Sequence, residues 1–287
     1  MTIQQVGVIG AGTMGNGIAQ VCAAAGLSVT LVDISAEALD RAMGTMASSL
    51  DRLVRKDQLS DSQKEETLAR VRTSTSMADL ADADLVIEAA TEVLHIKEAI
   101  IRQVDEVVRS DAIIATNTSS ISITRIASVS SRPERCIGMH FFNPVPVMLL
   151  VELIAGLQTT DSTHAKASEF VSRINKTAVS VRNSPGFAVN RILVPMITEA
   201  IFVLEDGIAS AEDIDLGMRL GCAHPIGPLA LADLIGLDTL LQVMEVFYTG
   251  FADSKYRPAP LLREMVEAGY LGRKAGRGFY TYTGNTL

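Results

Sequence analysis

The chain has no tryptophan and only three cysteines and four histidines in 287 residues. Cys22, Cys136 and Cys222 are odd in number, far apart and without metal-ligand spacing, which argues against a disulfide framework or a structural zinc site. No metal is expected, and a reducing, cytoplasmic setting fits best. Positive charge is also short: 25 Lys and Arg face 33 Asp and Glu, a formal net charge of -8. No global basic field exists to hold nucleic acid, so an anionic ligand needs locally placed cations. The longest apolar stretch, "FAVNRILVPMITEAIFVL" at 187–204, is broken by Asn190, Arg191 and Glu199. It therefore reads as a buried helix rather than a membrane span. The opening "MTIQQVGVIGAG" has no basic segment of the kind that starts a signal peptide, and it is expected to belong to the fold.

What is present is 48% hydrophobic and 20% charged residues, the composition of a folded globular protein. A chain of 287 residues exceeds a typical domain of roughly 100 to 200 residues, which predicts two domains. The first half alternates β-branched runs with helical patterns, the sign of βαβ units around a mostly parallel sheet. Strands are predicted near 5–9, 28–32, 84–88, 112–115, 135–140 and 149–154. Helices are predicted at 13–25, 36–56, 61–70, 93–109 and 161–175. The stretch 36–72 reads as a projecting helical hairpin, with Ser60 placed to cap its second helix. After "SVRNSPGF" the alternation stops and helices broken by Gly and Pro follow. The boundary is placed near 183, giving domains 1–183 and 184–287, the second all-α. The glycine-rich, aromatic tail "GRKAGRGFYTY" is expected to pack back onto a domain.

Gly10, Gly12 and Gly15 in "GVIGAGTMGNGIA" form G-x-G-x-x-G between a predicted strand and a predicted helix, with Thr13 and Met14 inside the motif. The first glycine permits a tight turn, the second admits a pyrophosphate to the backbone, and the third lets helix and strand approach closely. Asp33 ends the next strand, about 20 residues further on, where a carboxylate accepts hydrogen bonds from a ribose 2′-hydroxyl and repels a 2′-phosphate. A Rossmann-type domain that binds NAD rather than NADP is predicted.

In "GMHFFNPVPVMLLVE" at 138–152, His140 lies at the carboxyl end of a predicted strand, the edge where open α/β sheets bind ligands. Pro144 and Pro146 make a turn that can return Glu152 to it. An imidazole with an ordinary pKa near 6.5 suits a base at neutral pH, and a carboxylate on its other nitrogen fixes the tautomer. The residues alone leave two readings open, a catalytic pair or a histidine packed in a core. His95, His164 and His224 read as solvated or structural.

Five stretches taken together carry a resemblance: "GAGTMGNGIAQ", "NTSS" at 117–120, "GMHFFNPVPVM", "NSPGFAVNRI" at 183–192 and "HPIGPLALADLIGLDT" at 224–239. Over essentially the whole chain the sequence resembles the L-3-hydroxyacyl-CoA dehydrogenases. That likeness implies NAD-dependent oxidation of a 3-hydroxyacyl-CoA thioester or the reverse reduction, substrate entry between the two domains, and homodimers formed through the helical one. It implies His140 as base and Glu152 as its orienter. It also implies that Ser119 and Asn190 hold substrate oxygens, and that Glu92, Lys97, Ser119 and Asn143 contact the cofactor or order its cleft.

Ser119 has a competing reading as a helix N-cap before "ISITRIA", Asn190 as a core amide, and Lys97 as a charge on an exposed helix face. Arg52, Arg55 and Lys56 on the hairpin form a cluster able to take a CoA phosphate, or simply a solvated charged face. The chain departs from the family pattern at Leu149, where a lysine is common, and in "EAATEV". Neither membrane nor nucleic acid is expected as a partner. Three rivals stand beside this reading. Free-acid β-hydroxyacid dehydrogenases use a lysine on the first long helix of the second domain, which 187–204 lacks; the others are an L-gulonate-type dehydrogenase and a non-catalytic dinucleotide-binding protein.

Overall fold

In the computed structural model, residues 2–282 are described, and the chain divides into two bodies, Met1–Ser184 and Pro185–Leu287. The first body is built on eight strands: β1 (Gln5–Ile9), β2 (Ser28–Val32), β3 (Val71–Ser74), β4 (Leu85–Glu88), β5 (Ile113–Thr116), β6 (Cys136–Phe141), β7 (Leu150–Ala155) and β8 (Thr177–Arg182). They form one sheet in the order β3-β2-β1-β4-β5-β6-β7-β8. Every pairing is parallel except β6 with β7.

Helices α1 (Thr13–Ala24), α2 (Ala36–Val54), α3 (Asp61–Ala69), α4 (Leu94–Val107), α5 (Ile123–Ala127) and α6 (Asp161–Arg173) cover the sheet. The central strands "LVIE" and "IIAT" are buried throughout, as parallel strands covered on both faces must be. Alternate side chains feed two cores. Val8, Leu85, Ile87 and Ala115 join α1 and α2 on one side. Ile9, Val86 and Ile114 join Ile101 and Val104 of α4 on the other. Each such fully buried Val, Leu or Ile side chain contributes roughly 1.5–3 kcal/mol.

Two strands escape the sequence reading, β3 ("VRTS") and β8 ("TAVSVR"). Both are sheet edges, half exposed and polar, so they lack the apolar run that marks the central strands. The helical hairpin is present as α2 and α3, and Ser60 caps α3 by accepting from the Gln63 N–H while Gln63 reaches back to the Ser60 N–H. Its inner face, Leu39, Ala42 and Met46, joins the core.

The second body consists of α7 (Val189–Glu205), α8 (Ala211–Gly221), α9 (Pro228–Ile235), α10 (Leu237–Phe251) and α11 (Pro260–Glu267). Its core gathers Ile197, Ile201, Leu229, Leu240, Met244, Phe247 and Leu262. α7 is not buried all round: Val194, Ile197 and Ile201 face inward while Ile192 is 73% exposed. The tail does pack back, because the buried Asp233 carboxylate accepts from the Phe279 and Tyr280 N–H groups and the Tyr282 hydroxyl. No helix among the described residues is long and apolar enough to cross a membrane.

Candidate active site

The chemistry-bearing residues of the first body collect where β1, β4, β5 and β6 end. Gly10 turns out of β1 with φ +100, a conformation that excludes most side chains. A Cβ on Gly15 would stand 1.7 Å from the Gly10 carbonyl oxygen, whereas one on Gly12 would meet nothing within 4 Å. The turn is therefore closed behind by Gly15 and open in front at Gly12. Thr13 and Met14 begin α1, whose N-terminus has no side-chain cap and no acidic residue in its first turn. Its donors and positive dipole end suit a pyrophosphate, so this cradle fits a dinucleotide.

Asp33 does more than sequence suggested. Its carboxylate accepts from the Ala11 N–H at 2.7 Å and the Ser35 N–H at 3.0 Å. It braces the glycine turn from the end of β2, half-buried, in the place where a ribose would meet it.

β6 and β7 pair antiparallel with His140 directly opposite Glu152. The Glu152 side chain is fully buried and His140 is 6% exposed. His140 Nδ1 lies 2.8 Å from Glu152 Oε2, and the imidazole packs on Phe142 with ring centroids 4.5 Å apart. A carboxylate can only accept, so the neutral imidazole in this pair carries its proton on Nδ1 and its lone pair on Nε2. This is the arrangement of a base held by its orienter.

The loop after β5 is shaped by one carboxylate. Glu92 Oε1 accepts from the Thr118 hydroxyl at 2.6 Å, from the Ser119 and Ser120 N–H groups at 2.9 and 3.1 Å, and from the Ser119 and Ser120 hydroxyls at 3.3 and 3.0 Å. Burial pushes the Glu92 carboxyl up, but the Lys97 ammonium and these donors outweigh it and hold it below the usual carboxylate range. Ser119 is not a helix cap; Ser122 caps α5 by accepting from the Arg125 N–H. The Asn117 side-chain oxygen accepts from the Phe141 N–H at 2.8 Å and so ties the Ser119 loop to the strand end that carries His140.

Lys97 corrects the expectation of an exposed helix face. It is 1% exposed, and its ammonium donates to both oxygens of the fully buried Glu88 at 2.9 and 2.8 Å, with Glu92 Oε2 at 3.5 Å. Glu88 also accepts from the Thr116 hydroxyl at 2.6 Å and the Ala90 N–H at 2.8 Å. The ammonium is thus engaged by two carboxylates and supports the sheet edge from below. Sequence reading passed over Glu88, Thr116, Asn117 and Thr118, whose signal was polar residues closing apolar runs in "LVIE" and "IIATNTS".

Asn143 is exposed on the loop between β6 and β7, and Leu149, a departure from the family pattern, is 65% exposed. Arg52, Arg55 and Lys56 are exposed at the end of α2. Asn190 belongs to the other body, half-buried in the first turn of α7. No cluster of metal-ligating residues occurs among the described residues.

Comparison with known proteins matches both bodies of the chain. Residues 5–184 match the NAD binding domain of 3-hydroxyacyl-CoA dehydrogenase, and residues 186–282 match its C-terminal domain. The chain is 52% identical over 282 residues to the 3-hydroxybutyryl-CoA dehydrogenase of Bradyrhizobium diazoefficiens, covering 98% of this chain and 96% of that protein. It is 50% identical to the enzyme of that name from Clostridioides difficile, over 97% and 99% of the two chains. A crystal structure of (S)-3-hydroxybutyryl-CoA dehydrogenase from Ralstonia eutropha superimposes with a TM-score of 0.97 at 61% identity, covering 99% of this chain and 100% of that one. With both of its domains matched and relatives of this similarity along nearly its full length, the chain belongs to the 3-hydroxyacyl-CoA dehydrogenase family.

Proposed function

We propose that the chain oxidises (3S)-3-hydroxyacyl-CoA thioesters with NAD, and catalyses the reverse reduction, with 3-hydroxybutyryl-CoA as its substrate. The observation that carries the reading is the buried 2.8 Å contact of His140 with Glu152 at the ligand edge of the sheet, in a chain whose relatives bear that substrate in their names. His140 Nε2 accepts the C3 hydroxyl proton, and the Glu152 charge stabilises the imidazolium that results. Bound at the Gly10–Gly15 turn, NAD supplies the hydride acceptor. Ser119 donates its hydroxyl to the substrate oxygen once the substrate competes with Glu92 for it, and Asn190 is assigned to a substrate oxygen as well. Glu92 and Asn143 order the cofactor side of the cleft, with Lys97 acting through Glu92. Asp33 selects NAD over NADP.

Arg52 and Lys56 are assigned to the CoA phosphate. The first body serves as the NAD-binding domain, the second as the substrate and dimerisation domain of a cytoplasmic homodimer. The test follows NADH absorbance with acetoacetyl-CoA in wild type and in His140→Gln. Activity is expected to be lost, and full activity in the variant overturns the assignment.

A further inference from the structure

Sheet pairing alone accounts for the His140–Glu152 contact, because Met139 with Leu153 and Phe141 with Val151 continue the ladder on either side. The loop 142–149 that joins the two strands and carries Asn143 is outside that ladder. Its last carbonyl, Leu149, accepts from the Thr177 N–H at 2.8 Å, and three further fixings hold the rest of it. Within the loop, the Val147 and Met148 N–H groups both donate to the Pro144 carbonyl at 3.0 Å. On one side Val145, 1% exposed, is seated on α1 at Gly17, where a Cβ would lie 2.8 Å from the Val145 Cβ. Through that contact the loop rests on the helix whose N-terminus cradles the dinucleotide.

The third fixing is a buried cation. Lys176, between α6 and β8, is 8% exposed. Its ammonium donates to the Val145 carbonyl at 2.7 Å and the Met148 carbonyl at 2.6 Å. Burying an ammonium is costly unless charge-assisted bonds compensate it. Burial does pull the Lys176 pKa down, with only a partial offset from Cys22. Two carbonyls of one loop are what the charge holds.

We propose that Lys176 is a positioning residue for cofactor capture: its two bonds hold loop 142–149 against α1 and thereby set Asn143 at the cofactor. The inference rests on the reading of Asn143 as a cofactor contact. Lys176→Met keeps the length and removes the charge. It should raise KM for NAD about tenfold, the scale of losing hydrogen bonds from a charged donor. The kcat at saturating NAD should stay within about threefold and its pH profile should be unchanged, because the sheet still pairs His140 with Glu152. Lys176→Arg should recover part of the loss.

An unchanged KM in folded Lys176→Met overturns the inference, and so does a fall in kcat with KM unaltered. Should that variant fail to fold, Gly17→Ala displaces the same loop from the α1 side. It should raise KM for NAD, and adding Val145→Ala should restore it; an unaltered KM in Gly17→Ala overturns the inference. Asn143→Ala separates the two readings. A raised KM there beside an unchanged one in Lys176→Met overturns the role of Lys176 alone. The converse overturns the Asn143 contact and leaves the loop set by Lys176.

Discussion

Replacing Glu152 with glutamine tests the His-Glu pair with the least disturbance to the fold. The side chain is 0% exposed and its neighbours Val151 and Leu153 are equally buried, so an isosteric amide keeps the packing of β7. What changes is charge and donor pattern. The carboxylate 2.8 Å from His140 Nδ1 can only accept; a glutamine can turn either its oxygen or its NH2 toward the ring. With the NH2 inward, the ring must accept at Nδ1 and carry its proton on Nε2, where it is no longer a base. With the oxygen inward the tautomer survives, but the imidazolium formed in the reaction has no anion beside it. A unit charge pair at about 4 Å interacts by roughly 4 kcal/mol at an effective dielectric constant near 20, and loss of the correct tautomer costs about 10⁴ in kcat in a comparable pair. Both routes point to a fall in kcat of roughly 10³ to 10⁴, or about 4–5.5 kcal/mol of barrier. KM for NAD should move little, since the glycine turn and Asp33 are untouched. The assay is initial-rate NADH absorbance with acetoacetyl-CoA, alongside thermal unfolding to confirm a native fold. A folded variant with kcat within tenfold of wild type would refute the role given to Glu152.

Three further outcomes are expected. Lys97→Met strands the Glu88 carboxylate in the core with, among the described residues, the Thr116 hydroxyl and Ala90 N–H left as partners, so the urea midpoint should fall by the equivalent of about 3–5 kcal/mol; a loss under about 1 kcal/mol contradicts the buried pair. Asp33→Ala removes the anion at the ribose position and the brace on the Ala11 N–H, so NAD should bind more weakly and the preference for NAD over NADP should relax; an unaltered preference in kcat/KM counts against the ribose role. Burial pushes the Asp105 carboxyl up, but the Arg132 guanidinium and the Ser130 and Ser131 donors overcome it and hold it at about 2. A folded pKa below the unfolded one stabilises the fold above about pH 4 and is lost as pH falls toward 2. Asp105→Asn should therefore flatten the decline of Tm across that window, and an acid limb as steep as in wild type would assign the decline to other carboxylates.

What was legible in the sequence is what the backbone encodes locally. The glycine turn could be read because Gly10 combines a positive φ with a Cβ position 2.7 Å from the Ala89 carbonyl oxygen, and Gly15 leaves no room for a Cβ at all. The buried strands could be read because parallel strands covered on both faces leave unbroken apolar runs. β3 and β8 could not, since an edge strand is stabilised by its single neighbour and carries no run of its own. The His140–Glu152 pair stood between these cases. Two strands and a proline turn made the pairing possible, but its register depends on the whole β6–β7 ladder, which no local spacing specifies.

The polar support of the site is a different kind of information, and Lys97 shows that part of it was readable after all. The contacts of Glu88 with Thr116 and of Glu92 with Ser119 join residues 28 and 27 positions apart, so they exist only once β4 and β5 lie side by side. A charge on a helix is ordinarily assigned to solvent, and that prior misplaced Lys97. Yet the buried residues of α4 include Lys97, Ile101 and Val104, spaced four and then three apart, the period of one helix face. Lys97 is in phase with the apolar stripe, and the strand before it ends in the carboxylate of Glu88. A cation on the inward face of a helix cannot remain unpaired in a core, so phase plus a strand-ending acid nominates the pair from the sequence alone. The same reasoning does not reach Lys176, which lies between α6 and β8 on no helical stripe and bonds to main-chain carbonyls that carry no sequence signature. Buried charges that answer other side chains leave a pattern in the sequence, and those that answer the backbone leave none.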